Sequence, residues 1–181
     1  MQKEKVRRYW IFQGMPERYD LADKLIPDKI ESWTLSRYHS EVKPGDVVYF
    51  WRGGRQSGLY GWGVIPDMPY QRQSNSKRID NPEWWVNVRY QIRFENPIRK
   101  DELTAGSQGT KLAGLLILRA PQGTNFKVTT NETISLNLLI KKHSETSPED
   151  PVGTDLSYFP VKSIAPLNFS RSVTLFIGAG L

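Results

Sequence analysis

A hairpin of two short apolar segments, joined by a glycine-rich connection, is the feature that most constrains the fold of this chain. Val47–Trp51 (VVYFW) follows a Lys-Pro-Gly-Asp turn signal, and Leu59–Ile65 (LYGWGVI) returns after the connection Arg52–Gly58 (RGGRQSG). Both segments are rich in the β-branched and aromatic residues typical of strands. In the second segment Gly61 and Gly63 alternate with bulky residues, which indicates that one face packs closely on another backbone.

Three further segments have strand patterns. Arg8–Gln13 (RYWIFQ) is dominated by aromatic and β-branched residues, and Ser172–Leu181 (SVTLFIGAGL) has the pattern of a buried strand that runs into glycine. Trp84–Phe94 (WWVNVRYQIRF) alternates between apolar and polar residues, which predicts one face in the core and one in water. The apolar face is expected to consist of Val86, Val88, Tyr90, Ile92 and Phe94.

The helical patterns are short. Tyr19–Ile30 has apolar residues at roughly helical spacing, but Pro27 interrupts them, so we expect a short helix or a turn. Thr130–Lys142 predicts a helix with its first threonine as N-cap, because an acid lies early and lysines lie late. Leu112–Leu118 fits either a buried helix or a strand. Ser32–Ser40 (SWTLSRYHS) predicts a loop with one helical turn.

Together these patterns predict an α+β fold, a small curved β-barrel of about five to six mostly antiparallel strands with short flanking helices. The length of 181 residues suits one compact domain with an appendage. The stretch His143–Tyr158 has four acids, two prolines and neither Lys nor Arg, which is typical of a linker. We therefore expect one domain over residues 1–143 and a linker with further sequence over residues 144–181.

The composition excludes several kinds of catalytic and metal-binding site. The chain has no cysteine, which excludes disulfides and thiolate chemistry, and only two histidines, His39 and His143. Neither histidine lies in a nucleophile motif or a metal-binding pattern, so we expect a binding module without cofactor or metal rather than an enzyme. No run of 18 apolar residues and no secretory signal occur, so we expect a cytoplasmic protein without a membrane partner.

Basic residues concentrate around the hairpin. The chain carries 25 Lys and Arg against 19 Asp and Glu. Between residues 47 and 79 the single acid is Asp67, whereas the basic residues are Arg52, Arg55, Arg72, Lys77 and Arg78. Basic residues among aromatic rings can neutralise a phosphate backbone while the rings stack on bases. The same composition also fits a solvated loop beside an ordinary core, and composition alone leaves both interpretations open.

Five segments, in this order, resemble the EVE domain, a member of the PUA-like group related to YTH domains. They cover about residues 8–143. They are Tyr9–Pro16 (YWIFQGMP), Ser32–Tyr38 (SWTLSRY), Val42–Trp51 (VKPGDVVYFW), Gly58–Ile65 (GLYGWGVI) and Ala120–Phe126 (APQGTNF).

This resemblance implies the reading of a modified nucleobase. YTH relatives hold a methylated adenine in an aromatic cage, and EVE relatives are associated with flipped 5-methylcytosine or 5-hydroxymethylcytosine in DNA. For this chain it implies modified double-stranded DNA as partner, in a sensor module of a larger bacterial restriction or anti-phage defence protein. Three alternatives remain open. They are an RNA-binding module that reads a modified RNA base, an enzyme of nucleotide or NAD metabolism, which only the Gly178-Ala179-Gly180 end favours, and a protein-interaction domain whose aromatic residues are all core.

The resemblance also implies a set of site residues. Trp33 matches the cage tryptophan, although a lone tryptophan is more often buried as core. The full set implied for the base pocket is Trp33, Trp51, Gln13, Gly14, Ser36, Arg52, Gly53 and Trp84. Tyr70 is an alternative to Trp84 as a further cage aromatic. The residues expected to hold the nucleic-acid backbone are Arg55, Arg72, Lys77 and Arg78.

The end of the chain has a second resemblance. Val173–Leu181 (VTLFIGAGL) looks like the opening strand and glycine turn of a sirtuin-like NAD-binding domain. It implies that this chain is the N-terminal sensor of a longer protein and could not turn over NAD by itself. The alternative is a strand that completes the barrel or pairs with a partner.

Overall fold

The computed structural model describes residues 6–72 and 83–143. Within these ranges the chain forms one sheet and five helices. The strands are β1 (Tyr9–Gly14), β2 (Ile30–Thr34), β3 (Val47–Arg52), β4 (Gly58–Val64), β5 (Tyr70–Arg72), β6 (Glu83–Arg99) and β7 (Asn125–Val128). The helices are α1 (Leu21–Lys24), α2 (Lys100–Thr104), α3 (Gly106–Leu112), α4 (Leu116–Arg119) and α5 (Thr130–His143).

The sheet is mixed and curls into a half-barrel. Its strand order is β2-β6-β4-β3-β1-β7, and β5 pairs with β6 beside that path. β1 and β3 run parallel, and every other described pairing is antiparallel. This arrangement confirms the predicted α+β, PUA-like fold with short helices.

The two faces of the sheet bury separate apolar clusters. Side chains alternate along a strand, so Phe12 and Phe50 lie in one cluster, which we call the inner cluster. Ile11 and Trp51 lie in the other cluster, which packs against α2 to α5 and which we call the helix-facing cluster. Leu136 of α5 also belongs to the helix-facing cluster. The main inner residues are Trp10, Phe12, Val48, Phe50, Tyr60, Val86, Val88 and Tyr90.

A bulge in β6 changes which face its side chains reach. Gly63 pairs with Tyr90, but Trp62 pairs with Ile92, so β6 carries one extra residue at this point. Tyr90 therefore lies in the inner cluster, whereas Phe94 lies in the helix-facing cluster with Ile92 packed against it. The prediction that Val86 to Phe94 share one face is wrong beyond Tyr90 for this reason.

The glycines of β4 lie against the backbone of β6. A Cβ atom on Gly61 would lie 2.1 Å from the carbonyl oxygen of Ile92, and one on Gly63 would lie 2.4 Å from that of Arg89. No side chain fits at such distances, so the predicted close backbone approach at these glycines is confirmed. Because Gly61 and Gly63 have no side chains, the backbone of β6 can lie this close to the hairpin of β3 and β4.

One further prediction needs correction, and one open choice is decided. Ser32–Ser40 was expected to be a loop, but its first residues belong to β2, which pairs along β6 from Ile30 to Thr34. β2 is a half-exposed edge strand with several polar residues, so its sequence lacks the apolar pattern that predicts a strand. Leu112–Leu118, which fitted either a helix or a strand, runs from the last residue of α3 through a turn into α4, so it contains no strand.

The two predicted helices are present. The first is the single turn α1, whose N-cap Asp20 accepts a hydrogen bond from the backbone of Ala22. The second is α5, where the capping residue is Thr129 rather than Thr130. Thr129 and Glu132 exchange hydrogen bonds between backbone and side chain in both directions.

The Lys-Pro-Gly-Asp turn ends in a buried carboxylate. Asp46 accepts hydrogen bonds from Trp10 Nε1 at 2.9 Å, from the Lys43 amide at 2.9 Å and from the Arg8 amide at 3.2 Å. Burial raises the pKa of the Asp46 carboxyl, and the three donors oppose that rise. Asp46 thus joins the turn before β3 to the beginning of β1.

Replacing Asp46 with Asn should destabilise the fold by about 1–3 kcal/mol. The new –NH2 group would replace one carboxylate oxygen, so its N–H bonds would point at an N–H group from which that oxygen now accepts a hydrogen bond. An unsatisfied buried group costs about that much. Urea unfolding followed by tryptophan fluorescence measures the change. Asp23→Asn, at an exposed position of α1, is the matched control and should stay within about 0.5 kcal/mol of wild type.

Among the described residues, no helix is long and apolar enough to cross a membrane, and no three His, Asp or Glu side chains form a cluster that could hold a metal. Residues 144–181 lie outside the described ranges, and so do the predicted linker and the predicted strand Ser172–Leu181.

Candidate functional site

Trp33 is a half-buried side chain at the centre of an aromatic cluster on the inner face. Its ring lies 5.9 Å from that of Phe12, 5.4 Å from that of Phe50 and 5.3 Å from that of Tyr19, measured between centroids. Tyr19 meets the indole edge to face, at 63°. Aromatic pairs in such arrangements are mutually attractive, so the indole is held in one orientation.

The polar edge of this cluster is also fixed. Trp33 Nε1 donates a hydrogen bond to Tyr90 Oη at 3.1 Å, and the hydroxyl groups of Tyr90 and Tyr19 lie 2.7 Å apart. Burial raises the pKa of both tyrosines, so they stay protonated at neutral pH. Because the indole N–H is already used within the protein, a ligand at Trp33 would be held through the face of the ring.

The ends of β1 and β3 lie next to this cluster, because the two strands are parallel and in register. Gly14 pairs with Arg52, and the amide of Gly53 donates to the carbonyl of Gly14 at 2.9 Å. A Cβ atom on Gly14 would lie 3.0 Å from the carbonyl oxygen of Tyr19 and 3.2 Å from Leu21 Cγ. Gly14 therefore lets the segment after β1 fold back closely and bring Tyr19 to Trp33.

Arg52 forms a two-pronged ion pair at the same strand end. Its Nε lies 3.1 Å from Asp20 Oδ1 and its Nη2 lies 3.3 Å from Asp20 Oδ2. The hydrogen bond from Arg52 lowers the pKa of the Asp20 carboxyl. The guanidinium carbon is also 5.9 Å from the ring centroid of Tyr60. Asp20 and Tyr60 thus fix the position of the one predicted pocket residue that carries a charge.

Ser36 anchors the loop after β2 to the beginning of β7. Its amide donates to Asn125 Oδ1 at 3.0 Å, and its hydroxyl lies 2.8 Å from that of Thr124. Asn125 Nδ2 in turn donates to the carbonyl of Thr34 at 3.0 Å, and the amide of Gln13 donates to the carbonyl of Thr124 at 2.8 Å. Ser36 and the backbone of Gln13 are therefore both hydrogen-bonded to the turn before β7, beside the end of β1.

The sequence pattern of the EVE domain family matches residues 8–136. This chain belongs to the EVE domain family. No curated protein matches the sequence of this EVE domain.

Solved structures share the EVE fold at low sequence identity. Human THYN1 in complex with 5-methylcytosine-containing DNA has a TM-score of 0.61 and 17% identity, over 77% of this chain and 99% of that one. A hypothetical protein from Leishmania major has a TM-score of 0.60 and 16% identity, over 76% and 98%. A protein from Rhodopseudomonas palustris has a TM-score of 0.58 and 15% identity, over 82% and 99%.

The EVE domain structure places Trp51 on the opposite face of the sheet from Trp33. Phe50 is the residue of β3 that contacts Trp33, and the next side chain points to the opposite face. Trp51 is 3% exposed and lies in the helix-facing cluster. The prediction that Trp51 lines the same pocket as Trp33 is wrong, because a whole sheet lies between the two rings.

The two candidates for a further cage aromatic lie in different places. Tyr70 Oη bonds to Ser32 and Asn87, whose side chains point away from the face of Trp33, so Tyr70 lies on the outer surface of the EVE domain. Trp84 packs against the inner cluster, but its ring stacks on the imidazole of His39, 4.4 Å between centroids and 3° between planes.

Of the predicted backbone-binding residues, the two that the structure describes, Arg55 and Arg72, lie on different elements. Arg55 is exposed in the connection between β3 and β4. Arg72 lies at β5, with its guanidinium carbon 4.7 Å from the ring centroid of Trp85 and 5.7 Å from that of Tyr70. Lys77 and Arg78 belong to residues 73–82, which lie outside the described ranges.

Sequence reasoning missed four aromatic residues around Trp33. They are Phe12, Tyr19, Phe50 and Tyr90. Three of them lie on predicted strands, where their pattern indicates ordinary core residues. Alternation from Trp51 would have placed Phe50 on the opposite face, but only the pairing of the strands shows which face Trp33 covers.

Proposed function

We propose that this EVE domain reads a modified base of the 5-methylcytosine or 5-hydroxymethylcytosine type in DNA, by taking the flipped base against Trp33. The observation that carries the proposal is the half-exposed indole of Trp33, held by three rings and by a hydrogen bond to Tyr90. That THYN1, with the same fold, was solved in complex with 5-methylcytosine-containing DNA supports the same class of ligand here.

At such a site the free energy gained from stacking and hydrogen bonds has to offset the cost of extruding the base. Extruding a base from a duplex costs a few kcal/mol. Stacking of one base on an aromatic side chain returns about 1–3 kcal/mol, and hydrogen bonds to the base edge supply the remainder. Gly14 and Gly53, where β1 and β3 end, lie beside the cluster around Trp33, so we expect these hydrogen bonds from the backbone there.

A rigid indole suits recognition better than a mobile one. The ring contacts and the bond to Tyr90 order Trp33 before any ligand arrives, which reduces the entropy lost on binding. The proposed role is binding, and it assigns no chemical step to the residues at this site.

We also propose that residues 1–143 are the reading module of a larger bacterial restriction or anti-phage defence protein, and that residues 144–181 link it to a following domain. The support is the composition of the acidic stretch and the sirtuin-like pattern of Val173–Leu181. Expression of a longer chain that includes this segment, followed by limited proteolysis, would test the boundary near residue 143.

Base flipping is tested with a fluorescent reporter in the duplex. A 2-aminopurine placed next to a single 5-methylcytosine should brighten when the chain binds, because its stacking partner leaves the helix. The same reporter next to unmodified cytosine is the matched control and should change much less. Binding without any change in either duplex would contradict insertion of the base.

A further inference from the structure

A cationic depression lies where β4 begins and β6 ends. It is an open space of about 550 Å³. Among the described residues on its walls, Arg55, Arg99 and Lys100 are cationic, and Asp101 is acidic. Ser57 adds a hydroxyl group. The depression therefore combines an excess of positive charge with hydrogen-bond donors, which is the chemistry that a phosphate requires.

The walls of this depression are held by hydrogen bonds. The amide of Lys100 donates to the carbonyl of Ser57 at 3.0 Å. Arg99 Nη1 donates to the carbonyl of Gln56 at 2.9 Å and to Tyr60 Oη at 2.7 Å. Both of these hydrogen bonds start from Nη1, and they orient the guanidinium of Arg99. The N–H groups of Nη2 take part in neither bond. A planar guanidinium held in this way suits the oxygens of a phosphate.

Tyr60 connects the depression to the site around Trp33. Its ring lies in the inner cluster, 5.7 Å from the guanidinium carbon of Arg99 and 5.9 Å from that of Arg52. Arg52 is paired with Asp20, the neighbour in sequence of Tyr19, and Tyr19 contacts Trp33. A continuous series of fixed contacts thus leads from the depression to the aromatic cluster.

We infer that this depression binds a phosphodiester of the DNA strand that carries the base read at Trp33; the inference rests on the function proposed above. Contacts to phosphate fix the position of a strand without reading its sequence. Held here by Arg55, Arg99 and Lys100, the strand would be positioned for one of its bases to reach Trp33. Arg55 was already expected to hold the nucleic-acid backbone, and Arg99 and Lys100 are added to it here.

Charge removal tests this site. In the double variant Arg55→Gln, Lys100→Gln, the slope of log affinity against log salt concentration should become shallower by about one unit, because each lost phosphate contact contributes about 0.9. The affinity ratio between a 5-methylcytosine duplex and its unmodified counterpart should stay at the wild-type value. Arg99 is left in place because it also holds Tyr60.

The matched control is Lys111→Gln, Lys141→Gln, which removes two exposed charges from α3 and α5. Its slope should equal that of wild type. An unchanged slope in the first double variant, or an equal loss in both, would overturn the phosphate site. If wild type binds both duplexes equally, the proposed base reading is contradicted, whereas the salt slopes of the two double variants still test the phosphate site. If wild type binds neither duplex, both proposals fail.

Discussion

Replacing Trp33 with Ala should abolish the preference of the chain for a modified base. The substitution removes the ring on which the proposed base stacks, a contact worth about 1–3 kcal/mol, which corresponds to a loss of roughly 5- to 150-fold in affinity for the modified duplex. Binding to unmodified DNA, which depends on charge, should change little. Fluorescence anisotropy with paired modified and unmodified duplexes measures both affinities.

Two further variants separate stacking from folding. Trp33→Phe keeps an aromatic face but loses the bond from Nε1 to Tyr90, so it should retain part of the preference. Trp85→Ala removes a half-exposed tryptophan that lies under Arg72, and it should leave the affinity ratio unchanged. A Trp33→Ala protein that folds and still discriminates as wild type does would contradict the assignment of the site.

Replacing Gly61 with Ala should prevent folding or destabilise it severely. The new methyl group would lie 2.1 Å from the carbonyl oxygen of Ile92, and the obstacle is the backbone of a central strand rather than a side chain that can rotate. Overpacking typically costs about 1–3 kcal/mol, and we expect at least the upper end here. Thermal unfolding and urea titration measure the loss.

Gly114→Ala is the matched control for this substitution. The nearest atom to a Cβ at Gly114 is Glu132 Oε1, at 3.5 Å. Alanine there restricts the unfolded chain without a clash, so stability should stay the same or rise by about 0.4–1 kcal/mol. A Gly61→Ala protein as stable as wild type would show that β4 and β6 are not as close as described.

Local patterns predicted the sheet well where pairing is regular. Aromatic and β-branched runs located β1, β3 and β4, and the alternating glycines of β4 anticipated the close backbone of β6. The extra residue at Gln91 could not be predicted, because a bulge depends on how two distant strands pair. β2 was missed because Ile30–Thr34 is short and mostly polar, so its strand character comes from pairing with β6.

The site was harder to predict than the fold. The resemblance implies Trp33 and the strand ends as site residues, and alternation shows that Phe50 and Trp51 face opposite ways. Neither tells which face of the sheet Trp33 covers. Tyr19 is brought to Trp33 by the close approach of its backbone to Gly14. Such contacts between distant parts of the chain leave no periodic signal in the sequence.

The most direct test of the central claim is an anisotropy titration of the wild-type chain at two salt concentrations. The probes are short duplexes with one cytosine that is unmodified, methylated or hydroxymethylated, together with the methylated base in a ribose strand. Base reading predicts tighter binding to a modified DNA duplex, with a preference that persists at the higher salt. Equal binding that disappears with salt would contradict it, and a preference for the ribose strand would replace DNA with RNA as the partner.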